Sequence, residues 1–249
     1  MKIIAVIPAR YASTRFPGKP LADICGKPMI WWVYSEAIKN EKFADVIVAT
    51  DSDEIMKVCK EYDMHAMMTS DKHPTTIERV AEVASKTDAD CYMIVMGDEP
   101  ILRVEDEKKM VNAICSGVEA DAIHLVETMS DPVDVINSTT IKLAINDEGY
   151  CIFMSRTPIP YPKGQLGYPY YKNIGCYAMK REALDFFVKT KRGNLELAED
   201  IGPLRLLENH KKIFTVKAEF QSMSVDTPKD LERIRKIIEQ RLKIGKVIQ

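Results

Sequence analysis

Three cations and no acid occupy the segment 8–20, near the start of the chain. Arg10, Arg15 and Lys19 are separated there by residues that include alanine, serine, threonine and glycine. Small residues let backbone N–H groups approach phosphate oxygens, and the cations can neutralise negative charge. The segment matches neither the Walker pattern nor G-x-G-x-x-G. It therefore predicts a polyphosphate site of another kind, with an ordinary solvated basic loop as the alternative.

Two aspartates could hold a divalent metal beside such a phosphate. Asp98 follows an apolar run at 92–95, and Asp226 precedes a helix start signal at Thr227 and Pro228. Magnesium takes one or two protein carboxylates together with phosphate oxygens and water. In the alternative interpretation each aspartate only caps a helix. The spacing alone leaves both interpretations open.

A second acidic pair, Asp51 and Asp53, follows an apolar run at 46–49. The pair fits the D-x-D metal motif of nucleotide-sugar glycosyltransferases, but acids are also favoured at a helix start by the helix dipole. Of the four histidines, only His73 lies near these candidate residues, and a lone histidine is more often a structural group. A glycosyltransferase is therefore the weaker alternative, and the absence of a G-x-S-x-G elbow disfavours a hydrolase.

The elements that must position these residues alternate between strands and helices. Apolar runs predict strands at 3–7, 46–49, 66–69 and 92–95, and amphipathic segments predict helices at 29–39, 53–62 and 77–86. Such a βαβ series folds as a parallel sheet with helices on both faces. Loops at the carboxyl ends of the strands face one crevice, so the segment 8–20 and Asp98 should meet there.

The pattern changes after about residue 118. Candidate strands at 122–127, 140–145, 151–154 and 174–179 come with fewer helices, which predicts a smaller mixed-strand excursion with antiparallel pairs. A last helix starts at Thr227 and runs to about residue 243. We see no internal repeat and no linker that would divide the chain. The sequence thus predicts one α/β domain over residues 1–249.

The composition excludes several classes of partner. A net charge of −2 at pH 7 provides no overall field for binding nucleic acid or an anionic membrane surface. The six cysteines contain no C-x-x-C pair and lack zinc-finger spacing. No apolar stretch has the length of a signal peptide core or a membrane span. We therefore expect a cytoplasmic protein with reduced thiols.

Six segments resemble one enzyme family. They are IPARYASTRFPGKPLADICGKPMI, VIVATDSDEI, GDEP, IKLAINDEGYCIFMSRTPIP, IGCY and VDTPKDLERI. Nearly from end to end, the chain resembles the 3-deoxy-manno-octulosonate (Kdo) cytidylyltransferases. The resemblance implies a Rossmann-like nucleotidyltransferase fold, a homodimer, and Mg²⁺-dependent transfer of CMP from CTP to a sugar-acid hydroxyl with release of pyrophosphate. The product would supply lipopolysaccharide or capsule synthesis.

The resemblance also assigns regions and residues. It implies a nucleotide-binding half at about 1–118, an acceptor-binding and dimerisation region at about 119–226, and a C-terminal helix at about 227–244. Catalytic roles fall to Arg10, Lys19 and Asp98, and metal binding to Asp98 and Asp226. The nucleotide site is implied for Pro8, Ala9, Arg10, Arg15, Lys19, Thr75 and Arg79, and the acceptor site for Met96, Lys142, Arg156, Asn173 and Tyr177.

Departures from the family pattern concern mainly the acceptor. Met96 stands where the family has glutamine, and Asn173 stands where it has histidine. Gly202 and Pro203 replace a glutamate-glutamine pair, and residues 75–77 replace S-G-T. The loss of hydroxyl-binding side chains should weaken Kdo recognition. The sequence therefore leaves two alternatives. One is a different acceptor, such as another sugar acid or a small phosphonate or phosphate, and the other is a nucleotide-binding regulator without acceptor chemistry.

Overall fold

A computed structural model of the chain describes residues 1–12, 16–164 and 166–247. Its strands are β1 (Ile3–Ala9), β2 (Asp23–Ile24), β3 (Lys27–Pro28), β4 (Phe43–Thr50), β5 (Ala66–Met68), β6 (Cys91–Val95), β7 (Ala122–Met129), β8 (Lys142–Ile145), β9 (Cys151–Ser155), β10 (Tyr170–Lys180) and β11 (Ile213–Lys217). Its α-helices are α1 (Met29–Ala37), α2 (Asp53–Glu61), α3 (Thr76–Lys86), α4 (Val104–Cys115), α5 (Pro132–Ile136), α6 (Arg181–Lys189), α7 (Asn194–Glu199), α8 (Leu204–Glu208) and α9 (Pro228–Val247).

One large sheet organises the chain. Its order is β11-β7-β10-β6-β1-β4-β5, and β8 extends it by pairing with β10 and β9. The pairs of β1 with β4 and β6, of β4 with β5, and of β7 with β11 are parallel. Strand β10 runs antiparallel to both β6 and β7. The predicted α/β class, with a mostly parallel sheet and a mixed excursion, is confirmed.

Both faces of the sheet are covered, because the central strands are apolar at consecutive positions. All seven residues of β1 are buried, and they alternate between two cores. Ile3, Ala5 and Ile7 pack with apolar residues of α1, α2 and α4, whereas Ile4 and Val6 pack with those of α3 and α6. A strand that is buried on both faces is typical of a parallel sheet between two helical layers.

Helix α9 returns to the N-terminal half of the chain. Its Leu231, Ile234 and Ile238 form a third apolar cluster with Ile24 and Met29. This packing brings the N-terminal end of α9, and the residues just before it, towards the start of the chain. No helix in the described ranges is long and apolar enough to cross a membrane.

The second half contains more helix than the sequence pattern predicts. Helix α6 follows β10 without a turn between Lys180 and Arg181, so no glycine or proline marks the boundary. Strand β11 and helices α7 and α8 are short, and their burial depends on partners distant in sequence. Strand β10 is also longer than the predicted 174–179 segment, whereas β8 begins two residues later than predicted. The division of the domain into functional regions stays a prediction.

Candidate active site

The two candidate metal ligands lie on either side of one lysine. The Lys19 ammonium Nζ is 2.6 Å from Asp98 Oδ2 and 3.8 Å from Asp226 Oδ1. The three residues are far apart in sequence, but a backbone hydrogen bond from Val225 N–H to the Asp98 carbonyl, 2.9 Å long, joins the two aspartate segments. A cation is thus balanced by two carboxylates at the carboxyl end of β6.

Neither aspartate serves as a helix cap. At the start of α9, the Thr227 N–H and hydroxyl donate to Asp230 Oδ2, and the Asp230 N–H donates to Thr227 Oγ1. The N-cap of α4 is Arg103, five residues beyond Asp98. The helix termini are therefore satisfied by other groups. The capping interpretation is wrong for both Asp98 and Asp226.

A small cleft of about 310 Å³ opens beside this carboxylate pair. It is lined by Pro8, Ala9, Arg10, Ala12, Lys19, Pro20, Thr76, Met96, Gly97 and Asp98. Arg10 is held by its Nη2, which donates to the His73 carbonyl at 2.7 Å. Burial and the nearby Arg79 guanidinium lower the pKa of Arg10, yet an arginine remains charged. Arg15, the third predicted cation, lies outside the described residues.

Gly97 allows the cleft to be this narrow. A Cβ atom at this position would lie 2.9 Å from the Pro8 carbonyl oxygen and 3.3 Å from Ile30 Cδ1. Such a contact with backbone requires the chain to move, since real Cβ atoms do not approach so closely. The glycine therefore lets the exit of β6 lie against the exit of β1, with Asp98 next to the basic segment.

Neither Arg79 nor Thr75 is among the described residues that line the small cleft. Arg79 is 0% exposed; its Nη2 donates to Asp51 Oδ2 at 2.6 Å and its Nη1 to Thr69 Oγ1 at 2.5 Å. The Thr75 hydroxyl caps α3 by accepting from the Glu78 N–H. Their assignment to the nucleotide site stays a prediction, and the geometry favours a positioning role. Because Asp51 pairs with Arg79, it is a poor candidate for a D-x-D metal ligand.

A larger cleft of about 680 Å³ continues from the first. Thr76, Met96 and Asp98 line both clefts. The larger one, which we call the acceptor cleft after the role predicted for several of its residues, is further lined by Asn137, Asn173, Tyr177, Gly202, Pro203 and Asp226. Of the positions at which the chain departs from the family pattern, Met96, Asn173, Gly202, Pro203 and Thr76 thus line a single cavity that borders the carboxylate pair.

Two residues predicted for the acceptor site are engaged with backbone. Lys142 is 0% exposed, and its ammonium donates to the carbonyls of Asn137, Thr140 and Arg156 at 2.5–2.8 Å. Three acceptors satisfy an ammonium completely. The expectation that Lys142 faces the acceptor is therefore wrong in this structure; the side chain instead ties together the segments that form the cleft wall.

Arg156 is engaged in a similar way. Its Nε donates to the Glu199 carbonyl at 2.6 Å, Nη1 to the Ser138 carbonyl at 3.2 Å, and Nη2 to the Asp200 carbonyl at 3.1 Å. The guanidinium spans the loop before β8 and the end of α7. Its assignment as an acceptor ligand stays a prediction, because the side chain is only partly buried.

His124 is a cleft residue that the sequence did not indicate. It lies opposite Tyr177 in the β7–β10 ladder, its ring stacks on Tyr177 with centroids 5.0 Å apart, and its Nδ1 is 2.8 Å from Asn173 Oδ1. Burial lowers its pKa to about 4, although the Asn173 contact opposes this shift. A neutral imidazole must then donate from Nδ1, which turns the Asn173 NH₂ group away from it. In the sequence His124 stands within an apolar run that predicts a strand. Its contacts with Tyr177 and Asn173 become apparent only from the pairing of β7 with β10.

Glu99 is a further buried polar group of the acceptor cleft. Its carboxyl accepts from the Ser222 hydroxyl at 2.6 Å and from the Gly175 N–H at 3.1 Å. Burial raises its pKa to about 7, against the effect of these hydrogen bonds. Glu99 thereby links the exit of β6 to β10 and to the loop before α9.

Comparison with known proteins finds relatives that match nearly the whole chain. The sequence profile of the cytidylyltransferase family matches residues 4–213. The 3-deoxy-manno-octulosonate cytidylyltransferase of Geobacter metallireducens is 38% identical, over 94% of this chain and 96% of that protein. The corresponding protein of Koribacter versatilis is 38% identical, over 97% of this chain and 92% of that protein.

A solved structure extends the similarity to the fold. The CMP:2-keto-3-deoxy-manno-octonic acid synthetase complexed with CTP superposes with a TM-score of 0.93 at 34% identity, covering 97% of this chain and 100% of that one. The sequence match and the shared fold both extend over nearly the whole chain. This protein therefore belongs to the cytidylyltransferase family and is a nucleotidyltransferase.

Proposed function

We propose that this protein transfers the cytidylyl group of CTP to a hydroxyl of a small sugar acid and releases pyrophosphate. The names of its relatives make 3-deoxy-manno-octulosonate the first acceptor to test. The observation that carries the proposal is the Lys19–Asp98–Asp226 cluster, which borders two continuous clefts. One cleft has cations for a triphosphate, and the other has room for the acceptor.

The residues of the small cleft would bind and orient the nucleotide. Arg10 and Lys19 would contact the phosphates, with Arg15 as a third cation, and the chain at Pro8 and Ala9 would form a wall for the base. The acceptor oxygen would attack the α-phosphorus in line with the departing pyrophosphate, so that one P–O bond forms as another breaks. The cations stabilise the charge that develops on the leaving group.

The carboxylate pair fits a magnesium ion. Asp98 and Asp226 would supply the hard oxygen ligands that Mg²⁺ prefers, and the proposal is supported by their both lying within 3.8 Å of one charged group, the Lys19 ammonium. When bound, the metal would polarise the phosphate oxygens and hold the triphosphate in position. The chain's own contribution is to hold both carboxylates at a strand end and a helix start.

A second candidate is the same CTP chemistry on a different acceptor. Met96, Asn173, Gly202 and Pro203 all line the acceptor cleft, where the family has side chains that offer more hydrogen bonds. Lys172 and Arg233 are the cations that line this cleft, so they would contact a carboxylate, phosphonate or phosphate. A smaller or less hydroxylated acid would suit such a surface.

The proposal includes a cellular setting. Like the acceptor, this setting is taken from the family resemblance: a cytoplasmic homodimer that supplies a CMP-activated sugar for lipopolysaccharide or capsule synthesis. Kinetic and structural tests of the purified protein address the chemistry independently of this setting.

A pyrophosphate-release assay with CTP and Mg²⁺ tests the proposal. The acceptors would be Kdo, other sugar acids and small phosphonates, each measured against a reaction without acceptor. We expect release with at least one sugar acid; robust turnover with Kdo alone would eliminate the altered-acceptor candidate. Formation of a free nucleoside diphosphate would indicate a glycosyltransferase instead. Stabilisation by CTP without pyrophosphate from any acceptor would indicate a nucleotide-binding regulator.

A further inference from the structure

A second cavity, of about 550 Å³, lies beside the acceptor cleft. It is formed by the end of β7, the segment 219–223, Ile101 and the last turns of α9. We call it the arginine cavity and define it by Arg103, Arg241, Phe220, Lys172, Glu127 and Asp134, all of which line it. None of the nucleotide-binding residues discussed above belongs to it.

Arg103 reaches this cavity without a polar partner. Its guanidinium lies 4.4 Å from the centroid of the Phe220 ring, and its Nε is buried with no hydrogen-bond acceptor. Among the residues that the structure describes, Arg103 forms no ion pair within 4.0 Å and its side chain donates no hydrogen bond. A partly buried guanidinium normally uses its fork of donors on a carboxylate, a phosphate or a carbonyl.

Arg241 adds a second charge of the same sign. Its two terminal nitrogens donate to one carbonyl, that of Ile101, at 3.3 and 3.4 Å. Burial and the charge of Arg103 lower the pKa of Arg241, and Glu36 only partly opposes this. The two guanidiniums therefore lie within electrostatic reach of each other, where like charges are unfavourable unless an anion joins them.

The acids of the cavity are mostly neutralised by other cations. Glu127 pairs with Lys172 at 3.0 Å, and Glu219 pairs with Lys109 at 2.6 Å. Asp134 lines the cavity as well, but it belongs to an exposed turn of α5. The described lining of the cavity holds three acids and three cations, and with Glu127 and Glu219 paired, Asp134 is the lining acid that remains beside the two arginines.

We propose that the arginine cavity binds a small oxyanion of the phosphate or carboxylate class between Arg103 and Arg241. The Phe220 ring packs against the Arg103 guanidinium, and this cation–π contact restricts the guanidinium while its N–H fork stays available for two oxygens. Lys172, Ser222, Met223 and Asp134 also line the acceptor cleft. The two sites share a wall, and occupancy of the arginine cavity changes the charge along that wall.

The test uses selenate as a phosphate-like probe, because its anomalous scattering locates the ion. Calorimetric titration would compare the wild type with Arg103→Gln and Arg241→Gln, in the presence of CTP and Mg²⁺ to occupy the triphosphate site. Lys243→Gln, an exposed position on the same helix that does not line the cavity, is the matched control for charge. Crystals soaked in selenate would place the ion.

We expect an anomalous peak in contact with both guanidiniums and at least ~10-fold weaker binding in each arginine variant, with the control unchanged. Equal affinity of the wild type and both arginine variants would overturn the proposal. So would a peak confined to the Lys19 region. Light scattering adds a third arm: if the arginine variants lose a dimer that the wild type and control form, the guanidiniums pair with carboxylates of a second copy instead. The result does not depend on the proposed reaction, since ion binding is read out without turnover.

Discussion

Individual side chains around Lys19 decide what the site can bind. The ammonium lies within 3.8 Å of Asp98 and Asp226, whereas Arg10, which lines the same small cleft, donates to the His73 carbonyl. Charges of both signs therefore alternate within one crevice. A polyphosphate that carries a divalent cation complements this alternation, because its negative oxygens meet the basic residues and its cation meets the acids.

Replacement of Asp98 by asparagine tests the metal-binding assignment. The change removes the carboxylate charge beside Lys19 but keeps the shape of the side chain. We expect kcat for cytidylyl transfer to fall by at least ~100-fold, with an unchanged thermal unfolding temperature. Asp53→Asn, an exposed acid of the D-x-D pair, is the control and should retain nearly full activity. Near-normal turnover of Asp98→Asn would refute the metal assignment.

Asn173 and His124 should set the affinity for the acceptor. Removal of the amide in Asn173→Ala deletes the donor that His124 orients, so we expect the acceptor KM to rise about tenfold while the CTP KM is unchanged. His124→Phe keeps an aromatic ring against Tyr177 and loses only the hydrogen bond, so its effect should be smaller. With the pKa of His124 near 4, the acceptor KM should not titrate through this residue between about pH 6 and 8. A parallel rise in both KM values would argue against this role.

Strand ends and helix starts bring the site residues together. The exits of β1 and β6 carry the basic segment and Asp98, and the start of α9 carries Asp226. Between β7 and α8, the Lys142 and Arg156 side chains donate to carbonyls of three separate segments. Backbone groups of these irregular segments thus find partners that no regular element could supply.

Gly97→Ala tests the close approach of β1 and β6. Because the new methyl group would meet the Pro8 carbonyl at 2.9 Å, the exit of β6 must move and carry Asp98 with it. We expect a loss of about 1–3 kcal/mol in the free energy of unfolding and a drop in kcat/KM for CTP. Gly164→Ala, where no atom lies within 4 Å of the added carbon, should match the wild type in both measurements. Unchanged stability and kinetics of Gly97→Ala would contradict the predicted clash.

The whole molecule positions its clefts by stacking two helical layers on one sheet. Cores on both faces hold the central strands, and α9 closes the apolar cluster around Ile24. Some polar groups are buried within these layers, and burial without a hydrogen-bond partner lowers the free energy of unfolding. Glu107 of α4 is 1% exposed, and its Oε2 has no hydrogen-bond partner. Burial, followed by the nearby Glu36 carboxylate, raises its pKa to about 8.

Glu107 should make the stability of the fold depend on pH. The folded-state pKa of about 8 lies above the ordinary value of 4.5, so the native state holds a proton that the unfolded state releases. The stability that the proton on Glu107 contributes to the folded state is fully present below the ordinary pKa of 4.5. It is lost as the pH rises towards the folded-state pKa of about 8. Glu107→Gln, which stays neutral, should therefore stabilise the protein more at pH 8 than at pH 5, by more than about 1 kcal/mol.

Thermal unfolding at the two pH values measures this difference. Glu105→Gln, an exposed position on the same helix, is the control and should show little dependence on pH. If Glu107→Gln gives the same stability change at both pH values, the buried carboxyl does not titrate as described.

The sequence by itself determined the α/β class, the parallel first half and the position of a basic segment at the exit of the first strand. Local signals carry these features: continuous apolar runs mark strands that are buried on both faces, and cap residues such as Ser52 and Thr75 mark helix starts. The basic segment could be recognised because its cations are neighbours in the chain. The resemblance to a family added the assignment of Asp98 and Asp226 as metal ligands and of the acceptor residues, which spacing alone left open and which stay predictions.

Only the tertiary structure decided which polar groups meet. Lys142 and Arg156 carry the charges expected of acceptor ligands, yet donate to carbonyls that lie next to them only after folding. His124 and Asn173 are 49 residues apart and become partners through the pairing of β7 with β10. Helix α6 has no turn signal before it in the sequence, so its start is visible only in the structure. Arg103 and Arg241 are 138 positions apart in the chain, and only the packing of α9 brings them to one cavity. Contacts between distant segments arise from sheet order and helix packing, which local residue patterns do not encode.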